Sequence, residues 1–322
     1  MTISVIVPCR NERLHIDALL DSLLAQKTHG LNWEALIADG MSSDGTRDRV
    51  LDYSARDSRI HFVENPGLNA ASGLNEAIRK SAGEIVIRMD VHTTYADDYL
   101  AQCVSTLEYS GADNVGGPWR ARGDSYIQRA IAATFQSRFS AGGAPSHDPN
   151  FEGYVDSVYL GCWRRETFDR IGLFDTALAR NQDDEWNFRL TLAGGRVWQS
   201  PHIRSWYNVR PSLRALAKQY FDYGFWKVAV IRKHGRPASW RHLVPGVFLL
   251  LNIVLLATEP HIAPLIDVPY LALSLLFSIQ AADRSGWELL PALPIVFAVY
   301  HFAYGLGFLW GCVRTMMTGK TV

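Results

Sequence analysis

ISVIVPCRNE, residues 3–12, opens on a run of β-branched and apolar residues and closes on a polar loop. A continuous apolar run of this length reads as a buried strand. Directly after it Ile16, Leu19, Leu20, Leu23 and Leu24 recur at helical spacing. Working outward, WEALIA at 33–38 predicts a second strand that ends in Asp39-Gly40 and the loop MSSDGT, with a polar helix over about 47–56. A short third strand over 60–63, a helix over 70–81 and a fourth strand, EIVIRM at 84–89, follow. Four strand–helix alternations predict an α/β domain with a mostly parallel sheet between helices.

Ligands of such sheets bind at the carboxyl ends of the strands. Here those ends carry Arg10 and Glu12, then Asp39, then Asp90 with His92. One Asp-Gly pair is ordinary turn chemistry, but three strand ends with reactive or ligating side chains point to a site. No G-x-G-x-x-G follows the first strand and no G-x-x-x-x-G-K-[ST] occurs, so the usual dinucleotide and P-loop phosphate cradles are missing. A nucleotide diphosphate held here needs another means of neutralisation. Asp90 and His92, at i and i+2, offer a carboxylate and an imidazole to a divalent metal, a pair that suits Mn²⁺ and tolerates Mg²⁺.

VIVPCRNE, DGMSSDGT at 39–46, NPGLNAASGLNEAI at 65–78, RMDVH at 88–92 and NQDDEWNFRL at 181–190 stand in an order that resembles the inverting family 2 glycosyltransferases. The run from SAGGAPSH through YVDSVYLGCWRRETFDRIGLFD to NQDDE, with HFAYGLGFLWG at 301–311, is most similar to the exopolysaccharide β-glucosyltransferases of the succinoglycan type. The resemblance implies a GT-A nucleotide-diphospho-sugar transferase fold over about 1–210. It assigns Pro8, Arg10, Glu12, Asp39 and Asp90 to the donor nucleotide, with the Asp39 carboxylate accepting the N3–H of uracil. It makes Asp90 and His92 the metal ligands, His92 standing where the family's D-x-D ends in a second aspartate. The general base falls on Asp183, with Gln182 where the wider family has Glu, and Asp184 is the runner-up one residue away. Acids opening a helix ordinarily serve capping and the helix dipole, which is the competing account of Asp183, Asp184 and Glu185.

Composition narrows the classes. Lys+Arg 32 against Asp+Glu 32 leaves a formal charge of +0, which removes the global basic field of a nucleic-acid-binding chain. Cys9, Cys103, Cys162 and Cys312 form no C-x-x-C pair, so neither a zinc site nor a disulfide framework is expected. The amino-terminal apolar run meets Arg10 too early for a signal-peptide core. The catalytic domain is therefore expected on the cytoplasmic side. Aromatic residues between Trp119 and Trp206 are read mainly as packing, and RFSAGGAPSHDPN, around Gly142-Gly143, as a mobile loop.

Character changes after about residue 210. SLRALAKQYFDYGFWKVAVIRKH at 212–234 mixes cations with aromatic residues and predicts an amphipathic interfacial connector over 211–242. QYFDYGFW at 219–226 does not reproduce the Q-x-x-R-W of processive members, which favours addition of one sugar. Leu243–Thr258 and Leu289–Val313 carry no charge over 16 and 25 residues, and Ile262–Ala282 is interrupted only by Asp267. These predict a membrane domain over 243–322 with two to three transmembrane helices. Arg232, Lys233, Arg236 and Arg241 precede it and hold that end in the cytoplasm of a multi-pass inner or plasma membrane protein. Arg314 and Lys320 fall on either side according to the number of full spans.

The expected activity is transfer of a hexose, glucose from UDP-glucose, to a polyprenyl-diphosphate-linked saccharide in exopolysaccharide biosynthesis, beside other polysaccharide assembly proteins. A non-catalytic nucleotide-sugar-binding subunit of such a complex is the alternative. A transporter is a poorer match, because Asp267 and His301 are few ionisable groups for a pathway.

Overall fold

The computed structural model describes residues 1–318, so Lys320 lies outside the described residues. In chain order the elements are β1 (Thr2–Cys9), α1 (Ile16–Leu24), β2 (Asn32–Asp39), α2 (Thr46–Arg56), β3 (Ile60–Glu64), α3 (Ala70–Lys80) and β4 (Ile85–Arg88). Then follow β5 (Thr93–Tyr95), α4 (Tyr99–Ser110), β6 (Asn114–Gly117), β7 (Arg120–Arg122), α5 (Tyr126–Phe135), α6 (Arg138–Ala141), β8 (Gly153–Val155), β9 (Tyr159–Arg164), α7 (Arg165–Ile171) and α8 (Gln182–Leu192). The chain closes with β10 (Val197–Gln199), β11 (Ser205–Asn208), α9 (Leu213–His234), α10 (Val244–Thr258), α11 (Pro264–Ser285) and α12 (Leu293–Thr318).

An eight-stranded sheet has the order β3-β2-β1-β4-β9-β6-β10-β8. β3, β2, β1 and β4 are mutually parallel, β9 runs antiparallel to both its neighbours, and β8 is antiparallel to β10. The continuous apolar run of β1 has a direct cause. Ile3, Val5 and Val7 pack with Leu19, Leu20 and Leu23 of α1 and Leu100 of α4, while Ile6 packs with Leu74 and Ile78 of α3 and Trp186 of α8. Both faces are covered, so every β1 position from Ile3 to Val7 is fully buried, Ser4 included. β1 feeds β2 on one side and has β4 on the other, so the strand order reverses beside it. The crevice beyond the carboxyl ends of β1 and β4 is the place such sheets use for ligands.

The chain forms two compact units, Met1–Arg120 with Asp148–Tyr207, and Ala121–His147 with the chain from Asn208 onward. Residues 121–147, which the 1–210 expectation holds in the first domain, thus pack with the helical unit. The segment expected as a mobile loop carries α6, capped by the Ser137 side chain, and a 3₁₀ turn over Pro145–His147. Gly142 and Gly143 take φ of 60° and 73°, conformations that glycine adopts without a Cβ penalty and that end α6.

In the second unit α9 packs along α12 through glycines. A Cβ on Gly224 would overlap the Tyr304 carbonyl, and one on Gly307 the Phe221 carbonyl. Three segments, Trp240–Thr258, Pro264–Ser285 and Leu293–Met317, are long and apolar enough to cross a membrane. Only 17% of the apolar window of the first is buried. Leu250, Leu251, Ile253, Val254 and Leu256 of α10 and Leu265, Val268 and Leu271 of α11 are exposed, an apolar surface that water does not favour and a lipid phase does.

Candidate active site

Two loops at the carboxyl ends of β1 and β2 are stitched together by side chains. Past Cys9, Asn11 turns through a left-handed φ of 56°. Its N–H donates to Ser42 Oγ at 2.8 Å, and its Oδ1 accepts from Ser43 N–H at 2.9 Å. Glu12 N–H donates to Thr46 Oγ1 at 2.7 Å, and Arg13 N–H to Asp44 Oδ2 at 3.0 Å. Asp39 is fully buried, and its Oδ2 accepts from Ser42 N–H at 3.0 Å, so this carboxylate braces the 40–46 loop from below. Burial, reinforced by Asp39, pushes the Cys9 thiol far up, which keeps it protonated and unreactive. Arg10 lies across Gly40, where a Cβ would come within 3.2 Å of the Arg10 Cβ. Pro8 is backed by Gly73 of α3, where a Cβ would come within 3.3 Å of the Pro8 Cβ. Asn69 caps α3 by accepting from Ser72 N–H at 2.8 Å, which explains the NPGLNAASG stretch as scaffold.

At the end of β4 stands Arg88, with 7% of its side chain exposed. Nε and Nη2 each lie 2.9 Å from one oxygen of Asp90, a bidentate pair, and Nη1 lies 3.9 Å from Asp183 Oδ2. Nη1 makes no hydrogen bond among the described residues. Burial alone would lower the guanidinium pKa, but Asp90 and Asp183 outweigh it and raise it, so Arg88 is a fixed cation. Tyr95 holds the Asp90 backbone, accepting from its N–H at 2.6 Å and donating to its carbonyl at 3.0 Å. Tyr159 bonds Thr93 through its hydroxyl and packs at a tilt against Trp119, with ring centroids 3.9 Å apart. Burial raises both phenols well above their ordinary range, so Tyr95 and Tyr159 stay protonated.

The three acids that open α8 separate by environment. Glu185 is fully buried and pairs with Arg189 at 2.9 Å, and Arg189 also donates to the Ile171 and Leu173 carbonyls. Glu185 thus anchors the helix. Asp183, with 34% of its side chain exposed, faces Arg88 and accepts from Asp184 N–H at 2.9 Å. Asp184 is half-buried in the same turn.

His92 Nε2 lies 3.0 Å from Glu12 Oε1, which joins the loop after β1 to the turn after β4. The His15 and His92 rings meet edge to face with centroids 4.7 Å apart. Glu12, His15 and His92 bring ligand atoms within 4.8 Å of one another, a nitrogen and oxygen donor set that fits a divalent first-row metal.

Asp90 and Asp183 are therefore brought to one guanidinium, and Glu12 and His92 to one contact, while Pro8, Arg10 and Asp39 line the adjoining strand ends. Sequence reasoning missed the parts played by Arg88, Tyr95, Tyr159 and His15. Arg88 alone left a trace, as a charge closing the apolar run IVI of β4, all of it buried.

Comparison with known proteins bears on the family and the fold. The Glycosyl transferase family 2 model matches residues 4–159. The succinoglycan biosynthesis protein ExoA of Rhizobium meliloti (strain 1021) is 32% identical over 243 residues, covering 75% of this chain and 73% of its own. The dolichyl N-acetyl-alpha-D-glucosaminyl phosphate 3-beta-D-2,3-diacetamido-2,3-dideoxy-beta-D-glucuronosyltransferase of Methanococcus voltae is 26% identical over 326 residues, 99% of each chain. Among solved structures, the mannosyltransferase PcManGT from Pyrobaculum calidifontis, in complex with GDP-Man and Mn²⁺, superposes with a TM-score of 0.59 at 23% identity, over 96% of this chain and 87% of that one. That likeness shows the fold, a GT-A-type sandwich. The family match and a relative 32% identical over most of both lengths converge: the chain belongs to glycosyl transferase family 2.

Proposed function

We propose that the chain is an inverting hexosyltransferase that moves glucose from UDP-glucose to a polyprenyl-diphosphate-linked saccharide in exopolysaccharide biosynthesis, with its catalytic unit on the cytoplasmic face of the inner or plasma membrane. The observation that carries this is the Arg88 guanidinium, which holds Asp90 on one edge and Asp183 on the other. A donor-side carboxylate and a carboxylate free to take a proton are thereby fixed relative to each other in a crevice between parallel strands. The relatives named above add support, since one belongs by name to succinoglycan biosynthesis and another acts by name on a dolichyl-linked sugar phosphate.

Asp183 serves as general base, removing the proton of the acceptor hydroxyl as that oxygen attacks the anomeric carbon from the face opposite the diphosphate. Such assistance typically supplies about 10²–10⁴-fold. Asp39, Arg10 and Pro8 form the uridine side, with Asp39 assigned to the uracil N3–H and Glu12 at the edge that faces His92. Arg88 stays protonated and stands beside Asp183 as a fixed cation. Of the D-x-H pair, His92 is the residue that would hold a divalent metal, Mn²⁺ or Mg²⁺, while Asp90 has both oxygens on Arg88; when bound, the metal supplies Lewis-acid stabilisation of the leaving diphosphate. The helical unit anchors the chain at the membrane that carries the lipid-linked acceptor, with Arg232, Lys233, Arg236 and Arg241 on the cytoplasmic side.

The test is UDP release by the detergent-purified full chain, screened over UDP-sugars with Mn²⁺, Mg²⁺ or EDTA and a lipid-linked acceptor extract. Acceptor-dependent, EDTA-sensitive release with UDP-glucose is the expected result. UDP binding without turnover on the native acceptor would instead assign a nucleotide-sugar-binding subunit of the assembly or export machinery.

A further inference from the structure

We infer that Glu12 and His15 join His92 as ligands of the metal, so that the site is a two-histidine, one-carboxylate centre. The second histidine comes from outside the D-x-H segment. The inference rests on the proposed transfer only in setting the metal beside the donor diphosphate.

The three side chains converge from two segments that flank the switch in strand order. Glu12 and His15 sit on one turn, because the Glu12 carbonyl accepts from both His15 N–H and Ile16 N–H at 2.9 Å. That turn is pinned by the bond from Glu12 N–H to Thr46. His92 arrives on the turn after β4, closed by Thr93 N–H to the Asp90 carbonyl at 3.2 Å. Both Glu12 oxygens lie 3.0 Å from His92 Nε2, and all three residues keep ligand atoms within 4.8 Å of one another. Asp90, by contrast, has each of its oxygens engaged by Arg88.

The donor chemistry sets the selectivity. Mg²⁺ prefers six hard oxygen ligands in near-ideal octahedral geometry and sheds water reluctantly. Imidazole nitrogen favours first-row transition metals, and a two-histidine, one-carboxylate set leaves coordination positions open. With neutral imidazoles and one carboxylate, a divalent ion keeps a net positive charge toward the diphosphate oxygens that would fill those positions.

The experiment uses the full chain in detergent, stripped with EDTA and titrated with Mn²⁺, which is followed by its EPR signal and by nitrogen couplings in electron spin-echo envelope modulation. The expected result is coupling to two imidazole nitrogens in the wild type. His15→Ala and His92→Ala should each retain one, with Mn²⁺ affinity reduced more than about tenfold. Mg²⁺ at tenfold excess should fail to displace the Mn²⁺. His15→Gln, which keeps a polar side chain on this exposed position, should lose the same coupling with an unchanged melting temperature. Wild-type couplings and affinity in His15→Ala, or displacement by equimolar Mg²⁺, would overturn the assignment. UDP binding measured on the same samples separates the two ideas. Nucleotide binding with no His15-dependent coupling refutes the metal assignment alone, whereas no nucleotide binding by the wild type refutes the transferase proposal.

Discussion

Arg88 Nη1 lies 3.9 Å from Asp183 Oδ2 across 95 positions of sequence, and the same guanidinium grips Asp90 with its other two nitrogens. A buried cation thus lies between two carboxylates and ties the end of β4 to the start of α8. Removing it leaves two carboxylates, 31% and 34% exposed, without their shared counter-charge. Arg88→Met should therefore destabilise the catalytic unit by about 1–3 kcal/mol, the loss of charge-assisted hydrogen bonds discounted for solvent at the carboxylates left behind. Arg88→Lys should fold but lose more than about tenfold in transfer, since one ammonium cannot span both Asp90 oxygens. Thermal melts and UDP release check the two variants, and wild-type turnover in Arg88→Lys would remove Arg88 from the site.

Asp183→Asn should lower transfer by about 10²–10⁴-fold while UDP affinity stays within about twofold of wild type. Asp184→Asn should lose far less, because Asp183 is the acid facing Arg88. Full turnover in Asp183→Asn together with loss in Asp184→Asn would exchange the two roles.

Tyr95→Phe removes the hydroxyl that serves both the N–H and the carbonyl of Asp90. The expected cost is about 1–2 kcal/mol of stability, with a raised KM for the donor because the Asp90 backbone loosens. Unchanged kinetics with an unchanged melting temperature would show that the backbone is held without it.

The His147 ring stacks on Phe135, and Nδ1 donates to the Phe135 carbonyl. Burial, with Arg241 adding to it, pushes its pKa down to about 4. An unfolded histidine titrates near 6.5, so between those values the unfolded chain binds a proton that the folded chain refuses. Stability should therefore fall as pH is lowered from about 6.5 toward 4, by an amount on the order of 2 kcal/mol from this residue. Melts of wild type and His147→Gln at pH 5 and 7.5 should show a smaller pH dependence in the variant. Equal slopes would locate the acid sensitivity elsewhere.

Because the Gly307 Cα stands against the Phe221 carbonyl, Gly307→Ala forces α9 and α12 apart. Overpacking of this kind costs about 1–3 kcal/mol, and more where the obstacle is backbone. A lowered melting temperature and faster proteolysis after residue 207 are expected. Gly235→Ala, which meets open space though at a φ of 68°, should cost only about 1 kcal/mol.

Local pattern alone determined much of this protein. A strand buried on both faces must be apolar throughout, so ISVIVP declared its layer before any contact was known, and the helices at 16–24 and 70–80 declared theirs by periodicity. The charge-free runs beyond Leu243 declared themselves by length. Strand ends are also local, and Arg10, Glu12, Asp39, Asp90 and His92 were visible there. Partnership was not visible. No period in the sequence reports that the last residue of β4 turns inward to meet an acid on α8, or that His15 swings beside His92, because those contacts depend on how separate strands and helices are laid side by side. The same holds for residues 121–147, whose sequence reads like the rest of the α/β segment yet packs with the membrane-type helices. Tertiary structure also sorted the acids 183–185, which look alike in sequence. Helix phase turns Glu185 into the core against Arg189 and leaves Asp183 at the crevice, so one became scaffold and the other the candidate base.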